Sequence, residues 1–92
     1  MKLDLVVTRH PALVEYLKEL GYVVGEVLTH ASPEQITGKK VCGVLPHALS
    51  CLCETFTEIP LTLPSELRGK ELTIEDMRKY SSTAVTYKVS RL

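Results

Sequence analysis

No apolar run in this chain approaches the roughly 20 residues that a bilayer-spanning helix needs. The opening segment carries Asp4 and Arg9 around a very short apolar stretch, unlike a secretion signal, so a cytoplasmic protein with no membrane partner is expected. Charge of one sign is also missing: eleven Lys and Arg balance eleven Asp and Glu, for a formal net charge of zero. The chain therefore lacks the broad basic field of a protein that coats duplex nucleic acid, and any anionic ligand must be held by local donors. Cysteine is sparse. Cys42, Cys51 and Cys53 form no C-x-x-C knuckle, which excludes the usual structural zinc pattern, and all three are expected to be core thiols. A glycine-rich phosphate loop, low-complexity tracts and internal linkers are absent too, so residues 1–92 read as one domain. A domain of this size buries only about 60–65% of the surface its unfolded chain exposes, which favours a partner subunit.

What is present is a repeated pattern. Three apolar runs end in a histidine: Val6-Val7-Thr8-Arg9-His10, Val27-Leu28-Thr29-His30 and Val44-Leu45-Pro46-His47. If these runs are parallel strands, their carboxyl ends share one edge of the sheet, where open α/β folds bind ligands. Leu3 and Leu5–Val7 form a β-rich run whose continuous apolar character indicates burial on both faces. Pro11 then stands at a first helical position, Leu13, Tyr16, Leu17 and Leu20 follow at helical spacing, and Gly21 closes the segment. Residues 22–29 read as a second strand, 31–40 as a polar connection and 41–45 as a third strand. Pro46 opens a second helix expected to carry Leu49, Leu52, Cys53 and Phe56 on one face, and residues 59–63 read as a fourth strand in spite of Pro60. Thr73 and Asp76 make a capping-box start for a further helix, and residues 83–89 read as the last strand. The expected fold is a single Rossmann-like α/β domain with a mainly parallel sheet of about five strands flanked by helices.

The chemistry concentrates after the first strand. Arg9 can fork onto phosphate oxygens, His10 can transfer a proton near neutral pH, and Thr8 adds a hydroxyl. That set suits a phosphodiester. With an RNA-like substrate the ribose 2′-oxygen can attack the adjacent phosphorus, so the protein has to hold the geometry, stabilise developing charge and protonate the leaving oxygen. A second constellation is Leu63-Pro64-Ser65-Glu66-Leu67-Arg68-Gly69-Lys70-Glu71-Leu72. Here Leu67 and Leu72 would anchor a loop whose charged residues, Glu66, Arg68 or Lys70, face a ligand or another subunit, although a salt-bridged surface turn accounts for the same residues. Three histidines on three loops have no recognised metal-ligand spacing, so no metal is expected.

Thr8-Arg9-His10 with an aromatic-bearing helix, then Gly43-Val44-Leu45-Pro46, the Leu63–Leu72 segment and Asp76-Met77 together resemble the small stand-alone CRISPR-associated proteins of type III systems, in the group with ring nucleases. The resemblance spans nearly the whole chain, and its most specific element is P-S-E-L-R-G-x-E-L. Tyr16 stands where the resemblance would place tryptophan, and His47 where it would place an aliphatic residue. It implies a fold similar to the CARF domain, a homodimer, and cleavage of cyclic tetra-adenylate without a metal or other cofactor to linear products ending in a 2′,3′-cyclic phosphate. Arg9, His10 and Arg68 are then the expected catalytic residues, with Thr8, His30, Leu45, Pro46, His47, Ser65 and Glu66 contacting the ligand. The same groups would equally serve a non-catalytic sponge or sensor for cyclic oligoadenylate. A ring with a two-fold axis fits an isologous dimer.

Overall fold

The structure, a computed structural model, describes residues 2–92. Five strands form one sheet in the order β2-β1-β3-β4-β5, where β1 is Lys2–Val7, β2 Val23–Leu28, β3 Lys40–Gly43, β4 Thr55–Glu58 and β5 Val85–Tyr87. The first four run parallel and β5 returns antiparallel against β4. The helices are α1 (Pro11–Glu19), α2 (Pro33–Ile36), α3 (His47–Ser50) and α4 (Ile74–Tyr80), with a 3₁₀ turn at Ser65–Leu67. This is the mostly parallel, helix-flanked Rossmann-like sheet that the alternating pattern indicates. None of the described helices is long and apolar enough to cross a membrane.

The central position of β1 follows from its side chains. Leu5 and Val6 are adjacent and point to opposite faces, yet both are almost wholly buried. Val6 packs with Leu3, Leu17 and Cys42 against the side covered by α1. Leu5 packs with Ile36, Val41 and Cys53 against the side covered by α2 and α3. Each such aliphatic side chain contributes about 1.5–3 kcal/mol when fully buried. Helix α1 starts with Pro11 in its first turn, and its C-cap Leu20 is followed by Gly21, whose φ of 96° is a conformation glycine adopts without strain. Helix α4 starts with a reciprocal capping box, in which the Asp76 N–H donates to Thr73 Oγ1 at 3.2 Å and the Thr73 N–H donates to Asp76 Oδ2 at 2.9 Å. It is pinned to α1 by a forked Arg78–Glu19 pair, with Arg78 Nε 2.9 Å from Glu19 Oε2. Arg78 draws the Glu19 carboxyl below its usual range.

Several expected boundaries are corrected. The helix after Pro46 is a single turn, His47–Ser50, and does not reach Phe56. Phe56 lies in β4, because Thr55-Phe56-Thr57 is β-branched and aromatic and alternates across the pleat. The fourth strand is therefore Thr55–Glu58, not 59–63, where Pro60 lacks a donor and only Leu61 bridges to Ser81. The polar 31–40 connection contains α2, whose N-cap Ser32 and Gln35 form another capping box. The third and last strands are shorter than expected, ending at Gly43 and Tyr87. Cys42 and Cys53 are buried as expected, but Cys51, at the C-terminus of α3, is half exposed.

Candidate functional site

Strand order reverses between β1 and β3: the chain leaves β1 for β2 on one side and returns to β3 on the other. In an open parallel sheet this switch point leaves a crevice beyond the carboxyl ends of the two strands. The crevice is present as a cavity of about 470 Å³, within the usual range for small-ligand sites. Thr8, Arg9 and His10 enter it from β1, Thr29 and His30 from β2, and Gly43, Val44 and Leu45 from β3. Ile59, Leu61 and Met77 supply an apolar wall.

The local geometry is set by the backbone. The Thr8 N–H donates to the Leu28 carbonyl at 2.8 Å, extending the β1–β2 ladder one residue into the site. The Thr8 hydroxyl then accepts from the His10 N–H at 3.0 Å, which turns the chain out of the sheet. His10 occupies the N-cap of α1 with extended backbone (φ −107°, ψ 106°), uses no side-chain atom for capping, and lines the crevice. No acidic residue lies in the first turn of α1, and the positive end of the helix favours an anion there. Arg9 is exposed, with its guanidinium Nη2 3.5 Å from His30 Nε2.

β1 and β3 close on each other at this edge. Gly43 pairs with Val7 and has a φ of 151°, and a Cβ there would lie nearer than 3.0 Å to the Val7 carbonyl oxygen. Only glycine lets the two strand ends come this close. Cys42, at the cavity floor, is 1% exposed, and burial pushes its thiol up to about 12, so it stays protonated and is no nucleophile at neutral pH.

The expected site residues separate into groups. Thr8, Arg9, His10, His30 and Leu45 share the crevice. Pro46 is exposed at the N-cap of α3, and His47 lines a neighbouring cavity of about 440 Å³ with Phe56, Glu58 and Tyr87. Gly43, Val44 and Leu45 are common to both cavities, so the three histidines do not meet in one. Among the described residues no three His, Cys, Asp or Glu side chains gather as a metal-binding group. The Leu63–Leu72 segment does approach the site. It forms a groove of about 460 Å³ with Arg9 and His10, which Lys70 and Glu71 also line. Ser65, Glu66 and Arg68 are exposed and line none of these cavities. Glu71, Thr29 and Gly43 were not singled out by sequence as site residues. Gly43 had a readable signal, a glycine at the end of an apolar strand facing a histidine-bearing turn.

The fold and the crevice define a small doubly wound α/β domain with an anion-compatible site at its switch point. A family model described as "Putative CRISPR-associated protein (Cas_VVA1548)" matches residues 5–90, and the chain belongs to this CRISPR-associated family. Neither the curated proteins nor the solved structures returned a match.

Proposed function

We propose that the protein is a ring nuclease that cleaves cyclic tetra-adenylate, the second messenger of type III CRISPR systems, and so switches the antiviral response off. One observation carries this reading: in a member of a CRISPR-associated family, Thr8, Arg9, His10 and His30 line a single crevice at the sheet's switch point. In the proposed reaction a ribose 2′-oxygen attacks the adjacent phosphorus, forming a 2′-O–P bond and breaking the P–O5′ bond. The products are a 2′,3′-cyclic phosphate and a 5′-hydroxyl. Arg9 stabilises charge on the non-bridging oxygens, with His30 holding its guanidinium, and the His10 imidazolium protonates the departing 5′-oxygen. The attacking hydroxyl yields its proton to solvent or to a neutral imidazole, so the step requires no metal. Arg68 is exposed, without an ion pair among the described residues and outside the cavities of its own chain, so in this reading it serves catalysis only on a ring shared with the partner protomer.

In this reading the unit is a cytoplasmic homodimer of CARF-like domains, because a ring of four nucleotides exceeds one crevice and its two-fold axis matches an isologous pair. Val44, 89% exposed at the rim, is apolar surface available to such an interface, with Tyr87 nearby across the His47 cavity. Thr8, His30, Leu45, Pro46, His47, Ser65 and Glu66 then supply ligand contacts from one protomer or its partner. A non-catalytic sponge or sensor is the second reading. It is favoured by the His10 imidazole, which among the described residues has no hydrogen-bonded partner to fix its tautomer. Incubation with cyclic tetra-adenylate in excess chelator, under multiple turnover, separates the two. Linear adenylates ending in 2′,3′-cyclic phosphate are expected; bound but intact ring would establish the sponge.

A further inference from the structure

The groove between the Arg9-His10 turn and the Leu63–Leu72 segment adjoins the crevice, since Arg9 and His10 line both. We propose that this groove is a second subsite, holding the nucleotide next to the scissile phosphate, and that Lys70 is its phosphate-positioning residue.

The loop is built to present that lysine. Leu72, 5% exposed, and half-buried Leu67 tether it on either side. Between them Gly69, with a φ of 80°, reverses the chain, and the Lys70 N–H donates to the Leu67 carbonyl at 3.3 Å. Arg68 is left outside while Lys70 and Glu71 line the groove. Among the described residues Lys70 and Glu71 make no ion pair, with each other or with Arg9. Arg9 and Lys70 outweigh the single carboxylate, so the groove suits an anion. Glu71 beside them suits a hydrogen bond from a ribose hydroxyl, as carboxylates next to nucleotide phosphates commonly accept. A lysine here acts as a point charge on a phosphate oxygen. The combination fits a nucleotide chain better than an isolated phosphate: one phosphate at Arg9 and His10, the next at Lys70, and a ribose between.

This inference rests on the proposed substrate class, and its test keeps the two apart. Binding of cyclic tetra-adenylate and of linear tetra-adenylate is measured by titration at several salt concentrations for the wild type, Lys70→Gln, Lys70→Arg and Lys18→Gln. Lys18→Gln removes the same charge from the exposed face of α1, far along the helix from the groove. Lys70→Gln is expected to weaken binding about tenfold and to reduce the salt slope by about 0.7, the loss of one phosphate contact, with Lys70→Arg near wild type. Unchanged affinity and slope in Lys70→Gln, or an equal loss in Lys18→Gln, would overturn the subsite. Lysine-dependent binding of both nucleotides with no ring cleavage would support the subsite and sink the nuclease reading. If neither nucleotide binds the wild type, both fall.

Discussion

Gly43→Ala is the sharpest test of how the site is built. The substitution adds one methyl group at the point where β3 ends beside β1. Two costs add. A φ of 151° lies where side chains other than glycine are rarely found, which costs about 1–3 kcal/mol. The new Cβ would also meet the Val7 carbonyl oxygen at a separation that Cβ atoms do not tolerate, and Val7 Cβ at 3.3 Å. Neighbouring backbone has to move, because Val7 is held in register by both β2 and β3, and such overpacking costs a further 1–3 kcal/mol or so. The expected loss is about 2–6 kcal/mol, a large part of a small domain's typical stability of roughly 5–15 kcal/mol. Gly21→Ala is the internal control: its φ is 96° but nothing lies within 4 Å of its Cβ, so only the backbone cost of about 1–2 kcal/mol applies. Urea unfolding followed by circular dichroism measures both. If Gly43→Ala proves no more damaging than Gly21→Ala, the tight approach of the strand ends does not define the crevice, and the reasoning is wrong.

Replacing His10 with alanine should lower kcat about 10²- to 10⁴-fold while moving the Kd for cyclic tetra-adenylate little; a matching loss of affinity would make His10 a binding residue only. Alkaline unfolding should expose the buried Cys42 thiol, whose folded-state value is raised to about 12 from 9.0. Its contribution is complete below pH 9 and is lost as pH rises, since only the unfolded chain ionises it. The stability difference between wild type and Cys42→Ala should therefore shrink by about 1 kcal/mol between pH 9 and 10, and a constant difference would refute it. For Glu19 the sign is opposite. Its carboxyl is lowered from 4.5 by Arg78, so the pair stabilises above that pH and its effect disappears as acid protonates the folded state. Melting curves of Glu19→Gln and wild type should converge in acid and in high salt.

What was legible in the chain was what local chemistry decides. Pro11 and Gly21 bound α1, Thr73 and Asp76 start α4, and the unbroken Leu5-Val6-Val7 run marks a strand buried on both faces. β4 was not legible, because its identity comes from partners distant in sequence. Thr57, 0% exposed, would be a poor core residue alone, but its Oγ1 lies 2.9 Å from Thr86 Oγ1 across the antiparallel pair. Phe56 also stands at helical spacing from Leu49 and Leu52, and the sequence does not reveal that α3 stops after one turn. The same limit applies in the site. Thr8-Arg9-His10 is placed by the end of β1, which the pattern discloses. The choice of Lys70 over Arg68 depends on a 3₁₀ turn and on the positive φ of Gly69, neither of which hydrophobic periodicity registers.

Zero net charge is compatible with the proposed anion site because of where the acids stand. Glu34 occupies the first turn of α2, and Glu75 and Asp76 that of α4, so those positive helix ends are already complemented. Glu19 is committed to Arg78. The two helices that begin beside the crevice and its neighbouring cavity, α1 and α3, have no acid in their first turns. Arg9 and Lys70 are likewise free of ion pairs among the described residues. Around the groove, positive charge therefore outweighs the single Glu71 carboxylate, and exposed charges further apart than the roughly 8 Å screening length of physiological salt are largely screened from it. Such a field acts on a ligand already at the rim instead of drawing polyanions from a distance. Binding of a tetra-adenylate should accordingly show a shallow salt dependence, set by two or three phosphates, where a protein coating duplex nucleic acid would show a steep one.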